Sequence, residues 1–208
     1  MSRAMIIVAA GSGSRFESDK MLTLIEGRPL VEITLERVRP HVRHCVLVCR
    51  TDQREAIESM QLGVHLAVGG PTRTTSEMAG LKALHDLPTL VGIHDGARPN
   101  PTPELIEELF ATARKVGGAV PVWEPSRVLI DNETLEPLTD VAAVQTPQVF
   151  RGRELIEAYR LAEAEGFTGH DTLDIVQRFS SLEVAAVEGS PTNIKVTYPG
   201  DLARVIPL

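Results

Sequence analysis

The sequence predicts an α/β fold, a mostly parallel sheet flanked by helices, on three observations. Short apolar runs alternate with stretches of helical spacing, the order expected of strand–helix–strand units. The apolar runs are continuous, as strands buried on both faces require. The 208 residues are enough for one domain with a substantial core, with 43% hydrophobic and 24% charged residues as in ordinary globular chains.

Residues 5–10 form an apolar run that ends at Gly11 and read as the first strand. Residues 28–42 carry helical spacing through Leu30, Ile33, Leu35 and Val38. Residues 45–49 read as a second strand, 52–60 as a helix and 64–68 as a third strand closed by Gly69-Gly70. Residues 74–84 place Met78, Leu81 and Leu84 on one helical face, and 90–93 form a strand running into His94-Asp95-Gly96. Residues 102–116 are the best-marked helix. Thr102 caps it, Pro103 suits its first position, acidic residues open it, Arg114 and Lys115 close it, and Gly117 stops it.

Residues 119–123 continue as a strand. The pattern breaks over 124–141, where Pro125, Pro137 and Asp131-Asn132 interrupt any period, and this stretch reads as a short arm projecting from a single domain spanning 1–208. Helices resume over 153–165 and 170–179. Strands follow over 182–187 and 193–197, then a short C-terminal helix. The whole reads as a Rossmann-like sheet.

Bulk properties exclude several classes. A net charge of −7 argues against a broad nucleic-acid surface, which needs clustered Lys and Arg. It leaves room for a small anionic substrate held by a few cations. Cys45 and Cys49 share one apolar strand, where positions four apart lie roughly 13 Å from each other, too far to bridge. They read as core thiols of a reducing compartment. The apolar run near the N-terminus is too short to span a membrane and lacks a signal cleavage pattern, so a cytoplasmic protein is expected.

The first chemical site is the turn Ala9-Ala10-Gly11-Ser12-Gly13-Ser14-Arg15. Glycines let backbone N–H groups approach anionic oxygens. The dinucleotide fingerprint is excluded because Phe16 stands where its third glycine belongs, and Glu17-Ser18-Asp19 follows in place of a helix. A P-loop is excluded because no Gly-Lys-Ser or Gly-Lys-Thr occurs. What remains is a glycine turn with Arg15 inside it and Lys20 beyond. Nucleotidyl transfer needs that combination, since attack on an α-phosphate spreads negative charge over oxygens and releases pyrophosphate. The bland alternative is a pair of solvated loop charges.

Four further segments fall where strands are expected to end: Gly69-Gly70-Pro71-Thr72-Arg73-Thr74-Thr75-Ser76, His94-Asp95-Gly96-Ala97-Arg98-Pro99, Gln145-Thr146-Pro147-Gln148 and Asn193-Ile194-Lys195-Val196-Thr197. Ligands of open α/β sheets bind outside the carboxyl ends of strands, where these segments could converge. Together with the glycine turn and Lys20, in this order and over residues 9 to 197, they resemble the motifs of the 2-C-methyl-D-erythritol 4-phosphate cytidylyltransferases of isoprenoid precursor synthesis. The related ribitol-5-phosphate cytidylyltransferases share most of these motifs.

The resemblance implies a nucleotidyltransferase-type sheet and transfer of CMP from CTP to a polyol phosphate, with Mg²⁺. It implies that Arg15 and Lys20 stabilise the α-phosphate in the transition state. Ala9, Ala10, Gly11 and Gly13 would line the nucleotide, and Gly70, Arg73 and Ser76 would read cytosine and ribose. Asp95 and Lys195 would stand between nucleotide and acceptor with Gly96 beside them, Asp95 binding the metal or a hydroxyl. Arg98 would brace the site and Thr146 would face the acceptor phosphate. His94 reads as a packing residue of the strand end, not as a catalyst.

The acceptor side departs from the family. Pro125 and Ser126 stand where a Thr is expected, and Leu138 where an Arg is expected, leaving Arg127 as the arm's one arginine. His170 precedes Asp171 in place of Thr or Ser. Ser126, Arg127, His170 and Asp171 are therefore the candidate acceptor contacts. The resemblance also implies a homodimer in which each arm completes its neighbour's acceptor site. Two alternatives stand beside the methylerythritol phosphate reading: another polyol-phosphate cytidylyltransferase, and a non-catalytic CTP-binding protein.

Overall fold

The computed structural model describes residues 2–11, 13, 16, 19–124, 133, 134, 136 and 141–206. Strand β1 (Arg3–Val8) leads through a small hairpin, β2 (Leu24–Ile25) with β3 (Arg28–Pro29), into α1 (Leu30–Val38). Then come β4 (His44–Cys49), α2 (Arg54–Ser59), β5 (His65–Val68), α3 (Arg73–Lys82), β6 (Leu90–Asp95), α4 (Pro103–Val116) and β7 (Gly117–Trp123). The chain continues with β8 (Ala143–Val144), β9 (Gln148–Arg151), α5 (Gly152–Glu165), α6 (Thr172–Phe179) and β10 (Glu183–Glu188).

The main sheet runs β10-β7-β9-β6-β1-β4-β5, with β8 paired to β7. Pairings of β1 with β4 and β6, of β4 with β5 and of β7 with β10 are parallel. Strand β9 is antiparallel to both β6 and β7 and fills the gap between them. This strand was not foreseen, because its apolar core is only Val149-Phe150 flanked by polar residues. Nor does the expected strand over 193–197 form: its Val196 N–H donates to Ala97 O, outside any strand ladder. The helix expected from residue 28 starts at Leu30, because Arg28 and Pro29 close the small hairpin. The helix over 102–116 forms as its caps dictate: Thr102 Oγ1 accepts the Leu105 N–H, and Gly117 ends it at φ 131°.

The period-2 alternation of β1 divides the core. Met5 and Ile7 point to one face, packed with Leu30 and Val31 of α1 and Leu109 and Phe110 of α4. Ile6 points to the other, with Met78 and Leu81 of α3, Tyr159 of α5 and Ile175 of α6. Both faces are thereby covered, which is why the central strands are apolar throughout.

Strand order places the ligand crevice. From β1 the chain winds outward through β4 to β5, then α3 carries it back across β1 to β6. The order reverses between β1 and β6, and the crevice lies beyond the carboxyl ends of these two strands. Gly11 and Asp95 sit there. Strand pairing also brings the ends of the 124–141 segment together, since Trp123 faces Ala143 across the β7–β8 pair. Most of that segment, with Ser126 and Arg127, lies outside the described residues. Among the described residues, no helix is long and apolar enough to cross a membrane.

Candidate active site

A cleft of about 760 Å³ opens at the switch point. Its first wall is the glycine turn after β1, with Ala9, Ala10 and Gly11. Gly13 adopts φ 60°, a conformation glycine takes without Cβ strain, and its carbonyl accepts the Phe16 N–H at 2.7 Å. Arg15 lies outside the described residues. The chain returns at Asp19, whose carboxylate caps a 3₁₀ turn, Lys20–Leu22, by accepting the Met21 N–H. This turn aims Lys20 into the cleft, where its Nζ donates to Val196 O at 3.0 Å.

The second wall is the loop after β5. A Cβ on Gly69 would collide with Ala10 Cβ and Ser76 Oγ, so the two loops meet because residue 69 is glycine. Ser76 Oγ donates to the carbonyls of Gly70 and Thr72 and shapes the loop that carries Gly70 into the cleft.

Asp95, at the end of β6, is the hub of the floor. Lys195 Nζ lies 2.8 Å from its Oδ2 and Arg73 Nη1 donates to its Oδ1 at 2.7 Å, with Arg98 Nε 3.7 Å away. Burial alone would raise the Asp95 pKa. The three cations outweigh it and hold the carboxyl well below the usual range. The same carboxylate, with Glu77, raises the Arg73 pKa against the opposing effect of burial. Asp95 therefore fixes a cluster of positive charge at the floor of the cleft, with Lys195 the most exposed member.

A buried hydrogen-bond chain supports this floor. The Asp95 N–H donates to Thr146 Oγ1 at 3.0 Å, and Thr146 Oγ1 lies 3.1 Å from His94 Nδ1. His94 Nε2 lies 2.9 Å from Arg98 O, a pure acceptor, so Nε2 carries the proton and Nδ1 accepts from Thr146. Burial pushes the His94 pKa down to about 4, and the ring is neutral. Asn193 Nδ2 donates to Thr146 O, and Arg98 Nη1 donates to Asn193 O. Three of the motifs are thereby tied into one unit.

Two of the expected acceptor contacts have hydrogen-bond partners within the fold. The Thr146 hydroxyl is turned inward to Asp95 and His94, away from the cleft. Asp171 caps α6 by accepting the Asp174 N–H and also accepts from Gln148 Nε2, so both its oxygens serve the fold. His170, by contrast, lines the cleft. Gly96 donates its N–H to Val8 O and packs against Ala9, holding β6 to β1 beneath the glycine turn.

Comparison with known proteins decides the family. The sequence profile described as 2-C-methyl-D-erythritol 4-phosphate cytidylyltransferase (IspD) matches residues 3–206. The chain belongs to this family. The cytidylyltransferase of Bacillus velezensis is 35% identical, over 97% of this chain and 93% of its own length. That of Cereibacter sphaeroides is 38% identical, over 98% of this chain and 95% of its own. The crystal structure of the Thermus thermophilus cytidylyltransferase superposes with a TM-score of 0.83 at 30% identity, covering 95% of this chain and 94% of that one.

Within this cytidylyltransferase chain, the expected site residues brought to the cleft are Ala9, Ala10, Gly11, Lys20, Gly70, Arg73, Ser76, Asp95, His170 and Lys195. Sequence reasoning missed Arg50, which follows β4 and lines the cleft, held by Asp19 and Asp52 and donating to Gly11 O. Its signal was its place at the carboxyl end of a parallel strand, the rule that located the other motifs. Glu77, which grips Arg73, was also missed. Its position four residues after Arg73, at the start of the helix expected over 74–84, was the available sign.

The surroundings of Asp95 do not fit a metal ligand, because cations hold both its oxygens. Among the described residues, no cluster of three or more His, Cys, Asp or Glu side chains is placed to hold a metal ion.

Proposed function

We propose that this protein transfers CMP from CTP to 2-C-methyl-D-erythritol 4-phosphate. An oxygen of the acceptor phosphate forms a bond to the α-phosphorus. The α–β bridging bond breaks, and its electron pair leaves with pyrophosphate. The observation that carries this reading is the meeting, at one switch-point cleft, of the glycine turn, Lys20, Asp95 and Lys195.

The chemistry asks little of a general base, because the acceptor phosphate is already anionic at neutral pH. Positioning and charge neutralisation do most of the work. The glycine turn presents backbone to the phosphates. Lys20, which donates to Val196 O, and Lys195, the residue before Val196, supply fixed positive charge where negative charge develops. Ala10 and Gly70 face the cleft from touching loops and offer backbone groups to the base. Arg15 is the further cation expected from the motif. Magnesium in this reading is ligated by the nucleotide's own phosphate oxygens and water, the usual manner of Mg²⁺ with nucleotides.

A cytoplasmic enzyme agrees with Cys45 and Cys49 as buried free thiols. A homodimer formed through the arm rests on the motif resemblance alone; the pairing of β7 with β8 sets both ends of the 124–141 segment at one place on the sheet, as a projecting arm requires. The cleft-facing His170 stands where the family has Thr or Ser, so acceptor choice is the feature to test. A panel of polyol phosphates with CTP, followed by pyrophosphate release, should give the highest kcat/KM with methylerythritol phosphate. Higher kcat/KM with ribitol 5-phosphate would replace the acceptor, and CTP binding without turnover on any acceptor would leave a binding protein.

A further inference from the structure

Arg73 is stretched between two buried carboxylates. Its Nη1 donates to Asp95 and its Nε donates to Glu77 Oε1 at 2.8 Å. Its remaining nitrogen, Nη2, is buried and has no hydrogen-bond partner among the described residues, so the guanidinium plane is set by those two anchors. Glu77 is itself immobilised. Tyr159 OH of α5 donates to its Oε2, and Thr172 Oγ1 of α6 donates to its Oε1 at 3.1 Å. The Glu77 side chain is 1% exposed. Three helices on one face of the sheet thus converge on a carboxylate that touches none of the cleft.

A buried charge is a poor choice for stability alone, since its desolvation offsets much of what pairing returns. Here the cost is met at the one place where it orients a guanidinium that holds Asp95. We propose that Glu77 is a positioning residue for cytidylyl transfer, acting through Arg73 to hold Asp95 and, through Asp95, Lys195. With Glu77 neutral, Arg73 keeps a single charged anchor and its Nε end is free to swing. Asp95 then shifts with it, and Lys195 loses its fixed partner.

The inference rests on the cytidylyl-transfer reading, and a double-mutant cycle separates the two. Glu77→Gln keeps the shape and an oxygen for Arg73 Nε but removes the charge. Arg73→Met removes the group through which Glu77 acts. Steady-state kinetics with CTP and methylerythritol phosphate are measured for wild type, both single variants and the double variant, with thermal midpoints alongside. Glu77→Gln should lower kcat/KM about tenfold in the wild-type background and less than about twofold in the Arg73→Met background, because coupled residues act as one unit. A merely structural Glu77 would cost the same factor in both backgrounds, and that result overturns the positioning role while leaving the reaction intact.

If Arg73→Met does not fold, Tyr159→Phe takes its place. It removes one donor to Glu77 but keeps the Arg73–Glu77 pair. It should lower the thermal midpoint by at least as much as Glu77→Gln yet reduce kcat/KM less. Kinetic losses that simply follow the thermal midpoints would overturn the proposal. A wild-type chain that neither turns over nor binds CTP would overturn the reaction and the positioning role together.

Discussion

His94 makes the floor of the site sensitive to acid, and the effect can be worked through. The ring is fully buried, donates from Nε2 to Arg98 O and accepts at Nδ1 from Thr146. Protonation would put a second N–H against a hydroxyl that already faces the Asp95 N–H, and would add a charge with no water to solvate it. The folded pKa is accordingly near 4, against 6.5 for the free side chain. Between those values the unfolded chain binds more protons than the folded one, so stability rises with pH across that window. The contribution is complete above pH 6.5 and is lost as pH falls towards 4. By linkage, going from pH 8 to pH 5 costs about 2 kcal/mol at this residue. Urea unfolding of wild type and His94→Gln at both pH values isolates it. Glu77, whose pKa burial raises, works in the opposite sense but is present in both chains and cancels in the difference. Wild type should lose about 2 kcal/mol more than the variant between the two pH values. Parallel losses would refute the assignment of a ring held neutral by burial.

Two other substitutions probe the site. Thr146→Val keeps the shape but leaves the Asp95 N–H without an acceptor and His94 Nδ1 without a donor, so unfolding free energy should fall by roughly 2–4 kcal/mol, and a loss below about 1 kcal/mol would return Thr146 to the cleft. Lys20→Ala should lower kcat by roughly 10²–10³-fold while CTP affinity by calorimetry changes far less, because its charge matters most in the transition state. An unchanged kcat would remove Lys20 from the chemistry.

The sequence was most legible where one local rule decides. Apolar runs located β1, β4, β5 and β6, and cap residues located α4 almost to the residue. The cleft was legible because glycine turns and charged residues after parallel strands follow from topology. Strand β9 was not legible, since a four-residue segment with polar ends becomes a strand only through its two antiparallel neighbours. The segment over 193–197 misled for the converse reason. Its alternation suits a strand, but Asn193 and Val196 are drawn to Thr146 and Ala97 by tertiary hydrogen bonds. Thr146 and Asp171 were assigned to the acceptor by motif position. Nothing in a one-dimensional pattern distinguishes a hydroxyl that faces substrate from one that supports the neighbouring Asp95.

Gly11, Lys20, Asp95 and Lys195 meet in one cleft, and cytidylyl transfer is the reaction proposed for it. Mass-spectrometric detection of the product formed from CTP and methylerythritol phosphate tests it most directly. The expected result is a cytidine 5′-diphosphate ester of methylerythritol, appearing with one equivalent of pyrophosphate and strongly suppressed in Lys195→Ala. Contradiction would come from an absence of that ester with wild-type protein that binds CTP, or from undiminished formation by Lys195→Ala.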